Sequence, residues 1–137
     1  MAYWLFKSEP DTWGWPDQVA KGAAGEEWNG VRNYQARNNM RLMQLGDLGF
    51  FYHSQKGKEI VGIVEVCALS HPDSTTDDPR WDCVDIKAVK ALKSPVTLET
   101  CKADPRLSNM ALVKNTRLSV QPVAEDEWQV ICALGGL

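Results

Sequence analysis

The residues that most constrain the fold are the ten of the stretch IVGIVEVCAL, at positions 60–69. Successive side chains of a β-strand point to opposite faces of the sheet. One face of this stretch carries Ile60, Gly62, Val64 and Val66, and the other carries Val61, Ile63, Glu65, Cys67 and Leu69. Both faces are largely apolar, so we predict a strand that is buried on both sides. In a chain of 137 residues, such a strand favours a small curved barrel with helices packed outside it.

Short strands and helices are predicted along the rest of the chain. Apolar or alternating patterns predict further strands at 3–7, 48–54, 83–92 and 117–121. Turn residues, caps and 3.6-residue spacing predict helices at 15–21, 34–43, 97–102 and 122–134. The sequence therefore predicts one α+β domain over residues 1–137, a small mixed β-barrel of five or six strands with short helices outside.

Composition narrows the class of protein. No apolar run approaches the length of a membrane span, and the first residues lack the order of a signal peptide. We therefore expect a cytoplasmic protein with no membrane partner. The four cysteines form no CxxC pair and the two histidines stand alone, so neither a metal nor another cofactor is expected.

Positive charge is concentrated in one part of an acidic chain. The formal net charge is −3, yet residues 30–58 carry five basic residues and one acid, Asp47. A local basic segment on an acidic body predicts a small contact with an anion, and the candidates for contacting phosphate are Arg32, Arg37, Arg41, Lys56 and Lys58. On charge alone, a solvated helix face and a hairpin turn are the more common explanation of such a segment.

Aromatic and polar residues alternate in three stretches, MAYWLFKSEPDTWGWPDQ, WNGVRNYQAR and FFYHS. Nucleic-acid bases are bound by aromatic rings that stack, by amides and hydroxyls at the base edge, and by cations at the phosphates. Ordinary core packing also explains Trp4, Phe6, Phe50 and Trp128. The sequence contains no nucleophile elbow, phosphate loop, dinucleotide fingerprint or zinc-protease motif.

Long ordered runs carry a resemblance to a known family. They are YWLFKSEPDTW, WNGVRNYQARNNMR, GDLGFFYHSQKGKEIVGIVEV, DPRWDCVDIKAV, MALVKNTRLSVQPV and EW. Together they closely resemble the EVE domain family, from Tyr3 to Gly136. The resemblance implies a PUA-like barrel related to the YTH and ASCH domains.

The resemblance also implies a pocket that takes in one modified base, for example a methylated one, of DNA or RNA. The matching positions are Lys7, Ser8, Glu9, Pro10, Trp13, Trp28, Asn33, Tyr34, Tyr52, His53 and Ser54. The favoured function is thus a binding module rather than an enzyme. One alternative, implied by some ASCH relatives, is a small amidohydrolase-like enzyme acting on a modified nucleoside, with Lys7 and Glu9 as its candidate pair. Another is a protein-binding adaptor.

Overall fold

The computed structural model describes residues 1–137, which form one six-stranded sheet and five short helices. The strands are β1 (Tyr3–Ser8), β2 (Glu26–Glu27), β3 (Leu48–His53), β4 (Glu59–Pro72), β5 (Asp82–Thr97) and β6 (Val120–Val123). The helices are α1 (Trp15–Ala20), α2 (Tyr34–Leu42), α3 (Leu98–Ala103), α4 (Ala111–Lys114) and α5 (Glu125–Leu134). Single 3₁₀ turns lie at Gly22–Ala24 and Pro105–Leu107.

The sheet is mixed, with strand order β2-β5-β4-β3-β1-β6. Only β1 and β3 run parallel, with Tyr3 beside Leu48 and Ser8 beside His53. The other neighbours are antiparallel. The predicted α+β class with six mixed strands is confirmed. The ladder is open, because the edge strands β2 and β6 do not pair with each other.

Both faces of the sheet are buried, as the apolar pattern of β4 predicts. Alternate residues of the central strands enter two separate core clusters. The first cluster contains Phe6 and Phe51, and the second contains Leu5 and Phe50. The sheet therefore lies between two cores, which explains how so short a chain buries a strand on both sides.

The simple alternation predicted for β4 is wrong in one respect. Alternation predicts that Ile60 and Val64 share one face, yet Ile60 belongs to the second cluster and Val64 to the first. The register shifts between Ile60 and Gly62 against both neighbouring strands, which leaves Val61 as an extra residue in β4. A bulge inserts an extra residue and exchanges the two faces beyond it.

The helices begin largely where capping residues predict. Thr97 Oγ1 accepts a hydrogen bond from the backbone N–H of Thr100 at 3.1 Å, which starts α3. Strand β2 and helix α4 were not predicted, because segments of two and four residues are too short to show a period.

None of the five helices combines the length and apolar character that a bilayer crossing requires.

Candidate functional site

A cleft of about 590 Å³ opens where strand β1 ends. That volume lies within the usual range for small-molecule sites. The cleft is walled by the end of β1 with the turn after it, by the segment around β2, and by one residue before β6. The lining residues are Lys7, Ser8, Glu9, Thr12, Trp13, Glu26, Glu27, Trp28, Asn29, Gly30, Val31, Arg32 and Ser119.

The wall that follows β1 is a hydrogen-bonded turn from Glu9 to Trp13. The backbone N–H groups of Thr12 and Trp13 donate to the Glu9 carbonyl at 3.0 and 2.9 Å. Ser8 Oγ donates to the Trp13 carbonyl at 2.7 Å, which closes the turn from the other side. The Trp13 indole donates in turn to Gln18 Oε1 at 3.1 Å. The indole is therefore held in place beside the cleft by side-chain and backbone contacts.

Trp28 belongs to both the cleft and the core. It lines the cleft, but only 8% of its surface is exposed. Its ring packs edge-on against Phe6 and Phe51, with ring centroids 5.4 and 5.7 Å away. Trp28 thus presents one part of its ring to the cleft and buries the rest in the first core cluster.

The other two indoles near the amino terminus pack in or against the first core cluster. Trp4 is buried and donates from Nε1 to Asp47 Oδ2 at 3.0 Å. Trp15 packs edge-on against Phe51 at 5.4 Å. Of the four indoles in the first 28 residues, Trp13 and Trp28 line the cleft while Trp4 and Trp15 do not.

The cleft presents both donors and acceptors. The Lys7 ammonium donates to the Thr116 carbonyl at 2.9 Å, and burial lowers the pKa of Lys7. Burial opposes ionisation of Glu27, but the backbone and hydroxyl of Ser74, each 2.8 Å from Glu27 Oε1, outweigh it and hold the pKa of Glu27 below its usual value. Ionised acceptors and cationic donors therefore face the same space.

Arg32 is held at the edge of the cleft by the buried carboxylate of Asp73. Arg32 Nη1 lies 3.1 Å from Asp73 Oδ2, and the Gly30 N–H donates to the same oxygen at 2.8 Å. Burial would raise the pKa of Asp73, but hydrogen bonds from Thr75, Gly30 and Arg32 together lower it to about 2. Asp73 is thus ionised throughout the physiological range and holds the 30–32 segment.

Several of the predicted pocket residues lie elsewhere. Tyr52 is 3% exposed and belongs to the second core cluster, on the sheet face opposite Trp28. His53 Nε2 accepts from the backbone N–H of Trp15 at 3.0 Å, and burial lowers the pKa of His53. The Ser54 N–H donates to the Ser8 carbonyl at 2.9 Å. These strand-end residues support the turn, and neither they nor Pro10 line the cleft.

The predicted pair Asn33 and Tyr34 begins helix α2 rather than lining the cleft. Asn33 Oδ1 accepts from the Ala36 N–H at 2.9 Å and caps the helix. Tyr34 stacks on Trp81 with centroids 5.0 Å apart, and the Arg37 guanidinium lies 4.8 Å from the Tyr34 ring. Arg37 therefore belongs to an aromatic cluster beside the cleft.

Most cations of the basic segment already have acidic partners. Arg32 pairs with Asp73, Arg41 with Asp82 at 2.5 Å, and Lys56 with Asp11 at 2.7 Å. Arg37 donates instead to the Arg80 carbonyl at 2.8 Å. The formal excess of positive charge in residues 30–58 is thus reduced by carboxylates from distant parts of the chain.

Seven of the lining residues are not among the predicted site residues. They are Thr12, Glu26, Glu27, Asn29, Gly30, Val31 and Ser119. Residues 29–31 fall inside the quoted stretch WNGVR, so their position beside Trp28 was an available signal. Glu26 and Glu27 carried no such signal, because two adjacent acidic residues are typical of any exposed surface.

One group of potential metal ligands lies beside the cleft. The ligand atoms of Glu27, His71 and Cys83 are within 4.8 Å of one another. Burial and the Glu27 carboxylate raise the pKa of Cys83, which favours the thiol over the metal-binding thiolate. His71 uses both ring nitrogens, one 3.1 Å from the Pro72 carbonyl and one 2.7 Å from Asp85 Oδ1. As arranged, the Cys83 thiol is hydrogen-bonded to the Glu27 carboxylate, while both nitrogens of His71 are used by Pro72 and Asp85.

Comparison with known families gives one extended match. A family model described as the EVE domain matches residues 2–134. Thymocyte nuclear protein 1 of Mus musculus is 35% identical over 164 aligned positions, covering 96% of this chain and 73% of the mouse protein. The similarity therefore spans the cleft and both cores.

Solved structures share the architecture. A protein from Agrobacterium tumefaciens is 62% identical, with a TM-score of 0.99 over 100% of this chain and 94% of that chain. Human THYN1 protein in complex with 5-methylcytosine-containing DNA is 31% identical, with a TM-score of 0.90 over 100% of this chain and 99% of that chain. The YTH domain of Zygosaccharomyces rouxii MRB1 protein, in complex with N6-methyladenosine RNA, is 15% identical with a TM-score of 0.57 over 98% and 86% of the two chains, and it shares the fold alone.

Proposed function

The chain belongs to the EVE domain family, and from that membership and the geometry of the cleft we propose that it binds nucleic acid by taking up one modified base. The first candidate is 5-methylcytosine in DNA. The observation that carries this proposal is the similarity, over 100% of this chain, to human THYN1 protein, which was solved in complex with DNA containing that base. The cleft described above supplies the place for the base.

The base must leave its stack before it enters the cleft. A base inside a duplex cannot reach a recessed site, so it is flipped out or taken from a single strand. Trp28 and Trp13 line the cleft and offer aromatic surface for the extruded ring. Stacking of one base on an aromatic side chain contributes about 1–3 kcal/mol.

The polar lining matches the edge of cytosine. The exocyclic amino group of cytosine is a donor that Glu or Asp accepts, and the Glu27 carboxylate is ionised in the cleft. The ring nitrogen and carbonyl of cytosine need donors, and Lys7 and Asn29 line the same space. The proposal therefore assigns Glu27 to the amino group and these two residues to the acceptor edge.

The methyl group adds a smaller increment. Burying one methyl contributes about 0.8 kcal/mol, which is about a fourfold preference over the unmodified base. Selectivity of this size calls for paired oligonucleotides that differ in one methyl group.

The test is fluorescence anisotropy with matched oligonucleotides that carry cytosine, 5-methylcytosine, adenine or N6-methyladenine at one position, as single strands and as duplexes. We expect several-fold tighter binding to 5-methylcytosine. Glu27→Gln should remove most of the preference for cytosine bases, whereas Glu99→Gln, on the exposed surface of α3, should not. Equal affinity for every modified and unmodified partner contradicts the proposal.

A further inference from the structure

We propose that residues 114–119 form a phosphate-binding rim beside the cleft, with Arg117 and Lys114 as the cations that contact the nucleic-acid backbone. The ligand is the phosphodiester next to the inserted nucleotide. This inference rests on the proposed function, because it assumes that a nucleotide enters the cleft. It assigns a role to the run MALVKNTRLSVQPV, which the base-binding residues leave unexplained.

The rim is joined directly to the cleft. Ser119 is one of the lining residues. The Lys7 N–H donates to the Ser119 carbonyl at 2.9 Å, and the Lys7 ammonium donates to the Thr116 carbonyl at 2.9 Å. Arg117 lies between these two anchored positions in the chain, so its backbone is held at the edge of the cleft.

The side-chain amide of buried Gln121 holds the rim in place. Gln121 is fully buried, and its Nε2 donates to the carbonyls of Asn115 and Leu118 at 3.2 and 2.8 Å. The Leu118 N–H also donates to the Asn115 carbonyl at 3.4 Å. A loop ordered before the ligand arrives loses less entropy on binding. Gln121 is therefore the positioning residue of the rim.

The cations of the rim have no acidic partners. Residues 105–124 contain Arg106, Lys114 and Arg117 and no aspartate or glutamate. Arg106 pairs with Asp104 at 2.8 Å, whereas exposed Lys114 and Arg117 take part in none of the ion pairs of the protein. This distinguishes them from Arg32, Arg41 and Lys56 of the basic segment, each of which is already paired.

The opposite wall of the cleft repels phosphate. Glu26 and Glu27 line it, and Lys21 neutralises only Glu26, at 3.2 Å. A polyanion that approaches the cleft is therefore repelled near β2 and attracted near the rim. This asymmetry sets the side on which the backbone runs when one base is inserted.

Salt dependence of binding tests the rim. The observed affinity falls with salt in proportion to the number of neutralised phosphates, with a slope change of about 0.7 per contact for single strands and about 0.9 for duplex DNA. Arg117→Ala should reduce the slope by about that amount and weaken binding about twofold to fivefold. Methylated and unmodified oligonucleotides should lose affinity equally, since phosphate contacts do not read the base.

Lys102→Ala is the matched control, because Lys102 is exposed on α3 and does not adjoin the cleft. It should leave the slope unchanged, and thermal melts should show both variants folded. If Arg117→Ala matches Lys102→Ala in slope and affinity, the rim is wrong even where the methyl preference stands. If the slope depends on Arg117 while no modification is preferred, the rim stands and the proposed base selectivity fails.

Discussion

Replacing Trp28 with alanine separates binding from stability. Trp28 is 8% exposed, packs against two aromatic rings and still lines the cleft. Truncating a buried tryptophan costs about 3–5 kcal/mol, and we expect the lower end because one part of the ring faces the cleft. For a domain of this size, that loss lowers Tm by about 10 °C. The lost stacking surface should weaken base binding about tenfold to a hundredfold.

Trp4→Ala is the control for this experiment. Trp4 lies in the same core cluster as Trp28 and is 5% exposed, but it does not line the cleft. Both variants should melt early in circular dichroism, and only Trp28→Ala should lose affinity in anisotropy measured well below both transitions. Trp28→Phe and Trp4→Phe replace the pair if either alanine variant fails to fold. Equal loss of affinity in both variants, or none in Trp28→Ala, refutes the assignment.

Two further predictions concern the scaffold. A Cβ at Gly49 would lie 2.7 Å from Phe6 Cε2. Gly49→Ala should therefore lower the free energy of unfolding by about 1–3 kcal/mol, as measured by chemical denaturation. An unchanged denaturation midpoint contradicts this packing. The hydrogen bond to the Asp85 carboxylate raises the pKa of His71 above 6.5. The protonated imidazole therefore stabilises the fold fully below about pH 6.5, and this stabilisation is lost as the pH rises through the raised pKa. His71→Gln should therefore lower Tm more at about pH 6 than at about pH 8, and equal losses contradict it.

Regular patterns were sufficient for strands β1, β3, β4 and β5 and for most helices, but they missed β2 and predict the start of the last helix at Pro122, which lies in β6. Runs of apolar and aromatic residues located β1 and β3, and side-chain chemistry identified Thr97 as a cap. The bulges in β4 were hidden, because an extra residue in a strand with two largely apolar faces leaves no mark in the sequence. The predicted cytoplasmic location and the prediction of a binding module rather than an enzyme stay predictions.

The candidate site shows where pattern and resemblance differ. Resemblance grouped Tyr52 with Trp28, yet strand alternation alone places Tyr52 with Phe50 on the other face, and the structure agrees with the alternation. The ion pairs that neutralise the basic segment join residues about forty positions apart, such as Arg41 and Asp82. Such contacts depend on the tertiary fold, so neither composition nor local spacing reveals them.

The six indole N–H signals in a ¹H–¹⁵N NMR spectrum test the central claim most directly, because each tryptophan reports on its own surroundings. An oligonucleotide with one 5-methylcytosine is titrated into the labelled protein. We predict that the signals of Trp13 and Trp28, which line the cleft, shift strongly, while those of Trp4 and Trp128, buried in the two cores, stay in place. Unchanged Trp13 and Trp28 signals under saturating oligonucleotide would contradict insertion of a base into the cleft.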